Sequence, residues 1–502
     1  MKPLQSEPEK LERDVERLSR ENERLRQELI ERDRKLLEAE KQISEAEKQI
    51  ADLERKLALR LQNSVTSSKP PSSDGLAGEQ RPRGRQTGKS RRKPGGQPGH
   101  RGHWRGLAPL DRVNQVLDLL PDRCRHCDCS FAGTRRKAST EEEPRRHQVT
   151  ELPPIEAHIT EYRCQSAVCP DCGKATQAEL PEEIRGHFGP ELTALIAYLT
   201  VVCRMPRRVV QELLGQVLGI PLSLGSIQNS WEEASEAVAE PCTELEKQLA
   251  HEPVINSDET GYRTSGEKRW LWALVAPAFV FYKIALTRGA EVLVQLLGEV
   301  FAGILCSDRC PSYLKYHKGK GQFCWAHFKR NILGVLEIAK TTEAERFCRD
   351  ALALHARLFR LWHRFGAAPG VRYGPVTREQ LIAKSIPLEK KFFALALRHL
   401  DSRDKDVRNL ALTLLKHFER FFAFLRNEGV EPTNNSAERA LRCAVQWRKI
   451  SFGSRSSQGE IAVARLLTVS RTCRMQNREP LDYLGSAIRS HRKAQAAPSL
   501  LK

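Results

Sequence analysis

The chain has 502 residues, with 82 Lys and Arg against 63 Asp and Glu and a formal charge of +19. That length exceeds a single hydrophobic core of about 250 to 300 residues, and the positive surplus favours a polyanionic partner, nucleic acid foremost, over an acidic small molecule. No apolar run reaches the roughly 18 residues of a membrane span, and the chain opens on a charged helical pattern instead of a signal peptide, so a cytoplasmic protein without a membrane partner is expected. The 14 cysteines are too few for a disulfide scaffold of this length, and four of them fall in two Cys-x-x-Cys pairs, which in a reducing compartment points to metal.

Residues 9–62 read as a coiled coil. Val15, Asn22, Leu29, Leu36, Ile43, Ile50 and Leu57 recur seven apart, with Leu11, Leu18, Leu25, Ala39, Ala46 and Leu53 on the companion series, which Arg32 interrupts. A lone Asn among apolar a positions fixes register in a two-stranded parallel coil, so a homodimer is expected; a single charged surface helix is the alternative. From Ser64 to Arg105 the pattern dissolves. Between Arg81 and Arg105 stand nine Lys or Arg, Arg91, Arg92 and Lys93 among them, with no acid. In a Gly- and Pro-rich frame such a run stays extended and can follow a phosphate backbone, although a solubilising linker has the same composition.

Cys124-x-x-Cys127 and Cys169-x-x-Cys172 supply four thiolates, the closed tetrahedral shell of a structural Zn²⁺ site. Cys129 and Cys164 are spares. The alternating run from Gln148 to Tyr162 looks like the strands of a zinc ribbon. Residues 190–250 turn helical: Pro206 opens a helix that Gly219 ends, and Ser226 can cap the next. Helix, short turn, helix fits a DNA-reading helix-turn-helix and equally well two packed helices.

Val254-Ile-Asn-Ser-Asp-Glu-Thr-Gly-Tyr262 is the stretch around which the rest is organised. Strand alternation puts Asp258 on one face with Asn256 and Thr260 and turns Glu259 to the other. Trp270–Ala276 and Phe279–Ala285 read as strands covered on both faces, Ala290–Phe301 as a helix, and Gly303–Asp308 as a strand that again ends in Asp. Between Asp308 and Glu438 lie 129 residues, enough for an inserted helical domain. Its amphipathic helices are marked by Leu354, Leu358, Leu361 and Phe365, and by Leu414, Phe418, Phe421, Phe422 and Leu425. Cys306-x3-Cys310 with Cys324-x2-His327 has zinc-like spacing too, but would tie up the strand end that carries Asp308. Thr433 or Asn434 can cap a helix with Asn434 and Glu438 one turn apart on one face. Asp258, Asp308 and Glu438 thus form a candidate divalent-metal site, although Glu438 also fits a surface ion pair with Arg442.

Asp258-Glu-Thr-Gly, Ser307-Asp-Arg, Cys324-Trp-Ala-His327 and Asn434-Asn-Ser-Ala-Glu-Arg-Ala-Leu-Arg442 occur in the order seen in transposases of the IS66 family, which the chain resembles from about residue 60 to about residue 485. The resemblance implies a ribonuclease-H-like fold with an Asp-Asp-Glu triad, here Asp258, Asp308 and Glu438, holding two Mg²⁺ ions for cleavage and transfer of DNA strands. Asn434, Asn435, Arg439, Arg442, Arg448 and Lys449 would hold DNA nearby, with element ends, target DNA and accessory transposition proteins as partners. Arg309 and Cys310 depart from the Gly that often follows the second Asp in the family. The expected class is multidomain α+β: a coiled coil (1–63), a basic arm (64–110), a zinc ribbon (111–185), a helical HTH-like domain (186–250), a ribonuclease-H-like core in two parts (251–330 and 431–485) around a helical insertion (331–430), and a disordered basic tail (486–502). The rival readings are a non-catalytic zinc-ribbon DNA-binding protein and a nuclease without strand transfer.

Overall fold

The computed structural model describes residues 7–62, 106–119, 121–131, 145–184, 186–316, 319–366 and 375–501; the basic arm with Arg91, Arg92 and Lys93 lies outside them. The chain separates into one unit of residues 1–79, 162–211 and 223–502 and another of residues 80–161 and 212–222. Helix α1 (Glu7–Leu61) carries ion pairs one turn apart, Arg20–Glu16 and Arg24–Glu28. Its heptad residues, Val15, Leu29, Leu36, Ile43 and Ile50 among them, are more than half exposed in the single chain. The far end is fastened: Arg55 makes two 2.8 Å hydrogen bonds to Asp406, Lys340 reaches Glu54 at 2.7 Å, and Gln62 Nε2 donates to the Gly334 carbonyl at 2.7 Å.

In the stretch from Gln148 to Tyr162 the structure has no strand. Pro153 and Pro154 remove two donors there, and Val149, Leu152 and Ile159 stay exposed with no neighbouring strand to pair them. The two short strands of this region come later, β1 (Ser166–Val168) and β2 (Ala175–Gln177), as an antiparallel pair. Four helices follow: α2 (Pro190–Ala197), α3 (Arg207–Leu218), α4 (Leu224–Ala237) and α5 (Ala239–Gln248). Gly219, at φ +64°, ends α3 as expected. The cap of α4 is Ser223, whose Oγ accepts from the Ser226 N–H at 3.0 Å, so Ser226 supplies the donor and not the cap.

The central sheet has the order β5-β4-β3-β6-β7, built from β3 (Val254–Thr264), β4 (Glu267–Val275), β5 (Val280–Ala285), β6 (Ile304–Ser307) and β7 (Gly321–Phe323). Ser265 and Gly266, both at positive φ, make the two-residue hairpin turn that matches strand twist, so β3 and β4 pair antiparallel over nine residues. Parallel neighbours need crossovers; α6 (Ala290–Leu297) leads from β5 to β6 and α7 (Pro311–Tyr316) from β6 to β7. Beyond β7 come α8 (Trp325–Ile338), α9 (Thr342–Phe365), α10 (Arg378–Arg398), α11 (Lys405–Lys416) and α12 (Phe418–Arg426). They close a second apolar core around fully buried Trp325, whose ring lies 5.1 Å from those of Phe392 and Phe421 and 5.3 Å from that of Phe422. The pattern from Leu414 to Leu425 is two helices, broken at His417 (φ −120°, ψ 26°).

Three helices complete the chain: α13 (Asn435–Ser451), α14 (Ser457–Met475) and α15 (Pro480–Arg492). Edge strand β5 presents backbone groups that would otherwise seek another chain. Here Thr472 and Thr468 of α14 accept from the Val280 and Tyr282 N–H groups at 3.1 and 3.0 Å. The tail is ordered, contrary to expectation. Arg492 is buried on Glu233 at 2.7 and 3.0 Å, Tyr483 donates to the Pro498 carbonyl, and Leu500 is fully buried. The expectation counted charges and overlooked that one buried arginine with a carboxylate partner, and one buried leucine, suffice to hold a short tail.

Candidate active site

Burial alternates along β3: Ile255, Ser257 and Glu259 are buried while Asn256, Asp258 and Thr260 are half-buried. Successive side chains take opposite faces, so Asp258 and Glu259 are parted as the sequence requires. On its own face Glu259 accepts from Arg288 Nε at 2.6 Å and from the Tyr313 hydroxyl, which also lies 3.2 Å from Ser257 Oγ. Strands β3 and β6 pair in parallel through Asn256 and Cys306. Carried two residues further along both strands, that register brings Asp308 level with Asp258, just where the strands part. Asp308 Oδ1 accepts from the Cys310 N–H at 2.8 Å, an Asx turn that ends β6.

The third acid arrives on a helix locked to the first strand. Asn434, only 1% exposed, donates from Nδ2 to the Ser257 carbonyl at 2.7 Å, and its N–H points at Cys324 Sγ at 3.2 Å. Pro432 accepts from the Trp325 N–H at 2.9 Å. Helix α13 starts there and carries Glu438, whose Oε1 stands 3.7 Å from His327 Nδ1 on α8.

The electrostatics tie the three carboxylates together. Burial pushes the Asp258 carboxyl well above the usual carboxylate range, and the charges of Glu259, Asp308 and Glu438 push it further. His327 is lowered, first by burial and then by Arg330, so it stands neutral with a lone pair to offer. Glu438 Oε1, His327 Nδ1, Asn256 Oδ1 and Asn434 Oδ1 are all buried without a hydrogen-bond partner. Repelling carboxylates and orphaned buried acceptors are groups that a hard divalent cation would satisfy. Among the described residues, one group of three potential ligand atoms lies within 4.8 Å of one another, those of Cys324, His327 and Glu438. Cys306 and Cys310 do not join it, so the zinc-like spacing from Cys306 to His327 assembles no four-ligand site; burial raises the Cys306 thiol far above its ordinary value.

Of the residues expected to hold DNA, Asn435, Arg439, Arg442 and Lys449 are exposed on α13. Asn434 and Arg448 are engaged inside the protein, Asn434 as above and Arg448 by donating to Thr260 Oγ1 at 3.2 Å and to the Gly261 carbonyl. Because α13 lies along β3, these two positions face the strand. The partners of Glu259 were missed from the sequence: Arg288 and Tyr313 lie on separate segments and carry no local signal.

Each Cys-x-x-Cys forms a knuckle of the same design. Cys124 donates its N–H to the Cys129 carbonyl and accepts from Asp128, and Cys169 donates to Lys174 and accepts from Gly173, all at 2.9 Å. Asp128 and Gly173 both sit at positive φ. Backbone N–H groups of His126 and Cys127, and of Cys172 and Asp171, hold the leading thiols below their ordinary value. The knuckles belong to different units, and each stands as described by itself.

No helix among the described residues is long and apolar enough to cross a membrane. The profile of the transposase IS66 family matches residues 185–462, more than half of the chain. The chain belongs to the IS66 transposase family. A second profile, a family of unknown function (DUF6444), matches residues 2–106. The IS66-family chain is 27% identical over 264 residues to the uncharacterized protein y4qI of Sinorhizobium fredii (strain NBRC 101917 / NGR234), a match covering 47% of each chain. It is 26% identical over 229 residues to the uncharacterized protein y4hP of the same strain, covering 42% of this chain and 40% of that one. The chain spans less than half the length of these curated relatives.

Proposed function

We propose that this IS66-family chain is a DNA transposase of the Asp-Asp-Glu type, which binds element ends and carries out metal-dependent strand cleavage and transfer. The observation that carries the reading is the grouping of Asp258, within β3, Asp308, just past the end of β6, and Glu438 on α13, close enough that, after burial and Glu259, the charges of Asp308 and Glu438 add to what raises the Asp258 carboxyl. The strand order β5-β4-β3-β6-β7, antiparallel on one side of β3 and parallel on the other, supports a ribonuclease-H-like core. The orphaned oxygens of Glu438 and Asn256 support two Mg²⁺ ions as the resident cations. When bound, such ions would supply Lewis-acid activation of an attacking water or 3′-hydroxyl and of the leaving oxygen.

The chain's own part is positional. Asp258, Asp308, fixed by its turn, and Glu438, on the helix fixed through Asn434, would hold the cations. Neutral His327 beside Glu438 adds a donor or acceptor without a repelling charge. Asn435, Arg439, Arg442 and Lys449 line the exposed face of α13, where phosphates of the bound strand would run. The spacing of the two Cys-x-x-Cys pairs in the sequence supports a structural Zn²⁺ bound by Cys124, Cys127, Cys169 and Cys172, and the apolar stripe of α1 supports a parallel homodimer.

The test is cleavage of candidate element-end DNA with Mg²⁺ by Asp258→Asn, Asp308→Asn and Glu438→Gln, each nearly isosteric. Cleavage should fall by several orders of magnitude while DNA affinity at one fixed salt concentration stays within a few-fold. Near-normal cleavage by any of the three removes that carboxylate from the triad. Joining of cleaved ends to a target separates a transposase from a nuclease.

A further inference from the structure

One residue of the loop after α13 is held in an unfavourable conformation with nothing packed on it. Phe452, the C-cap of α13, has φ 59° and ψ 17°, the left-handed region, yet its side chain is 86% exposed. A bulky residue there costs roughly 1–2 kcal/mol, and burial returns nothing. Glycine or asparagine would cap the helix without strain. The loop around it is built rigidly. Ser454 donates its N–H to the Arg263 carbonyl at 3.0 Å, accepts from Ser265 at 2.9 Å, and its Oγ lies 2.8 Å from the Tyr262 hydroxyl. Gly453, at φ +102°, passes so close to β3 that a Cβ would strike the Arg263 carbonyl oxygen. The ring is therefore presented outward by a braced support.

Its surroundings are basic. Lys449 and Arg455, three residues to either side of it, are exposed; Arg455 stands close enough to Arg207 to disfavour its charge, and exposed Arg263, whose carbonyl holds the loop, donates to the Gly266 carbonyl at 2.7 Å. The acids of this edge are occupied: Glu460 pairs with Arg269 at 3.2 Å, and Glu232 faces Arg207. An exposed ring flanked along the chain by exposed cations is the arrangement that stacks on an unpaired base while the charges follow the backbone. Helix α13 also sets the distance. Fourteen residues at 1.5 Å each put Phe452 about 20 Å from Glu438, or roughly six nucleotides along a strand.

We propose that Phe452 is a base-stacking residue that holds an unpaired DNA base about six nucleotides from the scissile phosphate. The proposal rests on the DNA-transposase reading above and adds to it a preference for splayed over fully paired DNA.

The experiment measures affinity of the full chain for two probes at one salt concentration: a 20-base-pair duplex ending in unpaired dT arms of ten nucleotides, and a fully paired duplex of equal length. Phe452→Ala should weaken binding to the forked probe by about five- to a hundredfold and change binding to the paired duplex less than twofold. Phe452→Trp should keep the fork affinity, with indole fluorescence quenched on binding. Phe452→Asn should lose fork affinity while its melting temperature rises, since asparagine accepts this backbone; that gain rules out misfolding as the cause. Equal fork affinity in wild type and Phe452→Ala overturns the proposal and leaves the transposase reading intact. A change in sedimentation of Phe452→Ala with unchanged fork binding also overturns it, in favour of a protein contact. Failure of the wild type to bind either probe counts against the transposase reading itself.

Discussion

Glu259, its side chain closed off from solvent, takes a 2.6 Å hydrogen bond from the guanidinium of Arg288 on the loop after β5, directly behind Asp258. Strand alternation alone makes Glu259→Gln look like a silent control for Asp258→Asn. The pairing with Arg288 and Tyr313 removes that status. Glu259→Gln should destabilise the protein by about 1–3 kcal/mol, because it leaves half-buried donors mismatched, and activity should fall with folded fraction. Urea melts of the variant check this; unchanged stability would mean the pair contributes nothing. A neutral control is Glu299→Gln, exposed before β6.

Asp258 is raised by burial and by its acidic neighbours, which fixes the sign of its effect on stability. A carboxyl raised in the fold gives its full contribution below its unfolded value near 4 and loses it as pH rises through the folded value, so at neutral pH it opposes folding. Asp258→Asn should therefore melt higher than wild type in EDTA at pH 7. Mg²⁺ should raise the melting temperature of wild type and leave that of Asp258→Asn nearly unchanged. Equal Mg²⁺ shifts in both proteins would exclude Asp258 as a ligand.

His355 is buried between Trp325 and Phe359, and burial lowers it to about 4. Its neutral form is the folded form. Stability from this residue is present above pH 6.5 and is lost as pH falls toward 4, by up to roughly 3 kcal/mol. His355→Leu should show a smaller difference between urea midpoints at pH 7 and pH 4.5 than wild type; an identical difference would show that the ring protonates freely.

Zinc should be found at one ion per chain by metal analysis of protein purified without chelator, and should be lost from Cys124→Ser with Cys169→Ser. Zinc retained by that double variant would show that Cys124 and Cys169 do not hold it.

The peptide of residues 7–61 should sediment as a dimer at micromolar concentration, since its heptad residues have no partner within the chain. Asn22→Leu should raise its melting temperature and loosen its choice of oligomer. A monomeric peptide at that concentration rejects the dimer.

The strands, and the opposite faces taken by Asp258 and Glu259, were legible because they rest on local pattern: the two-residue alternation of Val254–Tyr262 and the apolar runs that end at Asp308 and Val275. What escaped was what the fold brings from afar. Arg448 and Asn434 read as DNA contacts because both are polar and belong to the same helical stretch as Glu438, yet only the packing of α13 on β3 shows that their side chains turn to that strand. The alternation from Gln148 to Tyr162 mimicked strands because hydrophobic period records preference, and a strand also needs a neighbour to accept its N–H groups. Helix α10, with Pro387 inside it, lacked a clean stripe because both of its sides meet other helices.

The adjacent acids on β3 make the strand's alignment with β6 unusually consequential. A slip by one residue would exchange the two faces and still deliver a carboxylate, that of Glu259, to the site beside Asp308. Charge alone therefore cannot reject the misfolded alignment. Rejection falls to groups without chemistry of their own: Ser257, whose carbonyl must meet Asn434; Gly261, whose carbonyl must meet Arg448; and Tyr262, which must reach Ser454. Two of these contacts are backbone carbonyls that every residue carries, so the alignment is tested by Tyr262→Phe, which removes the one side-chain contact to Ser454 and should loosen the register while leaving helix content intact.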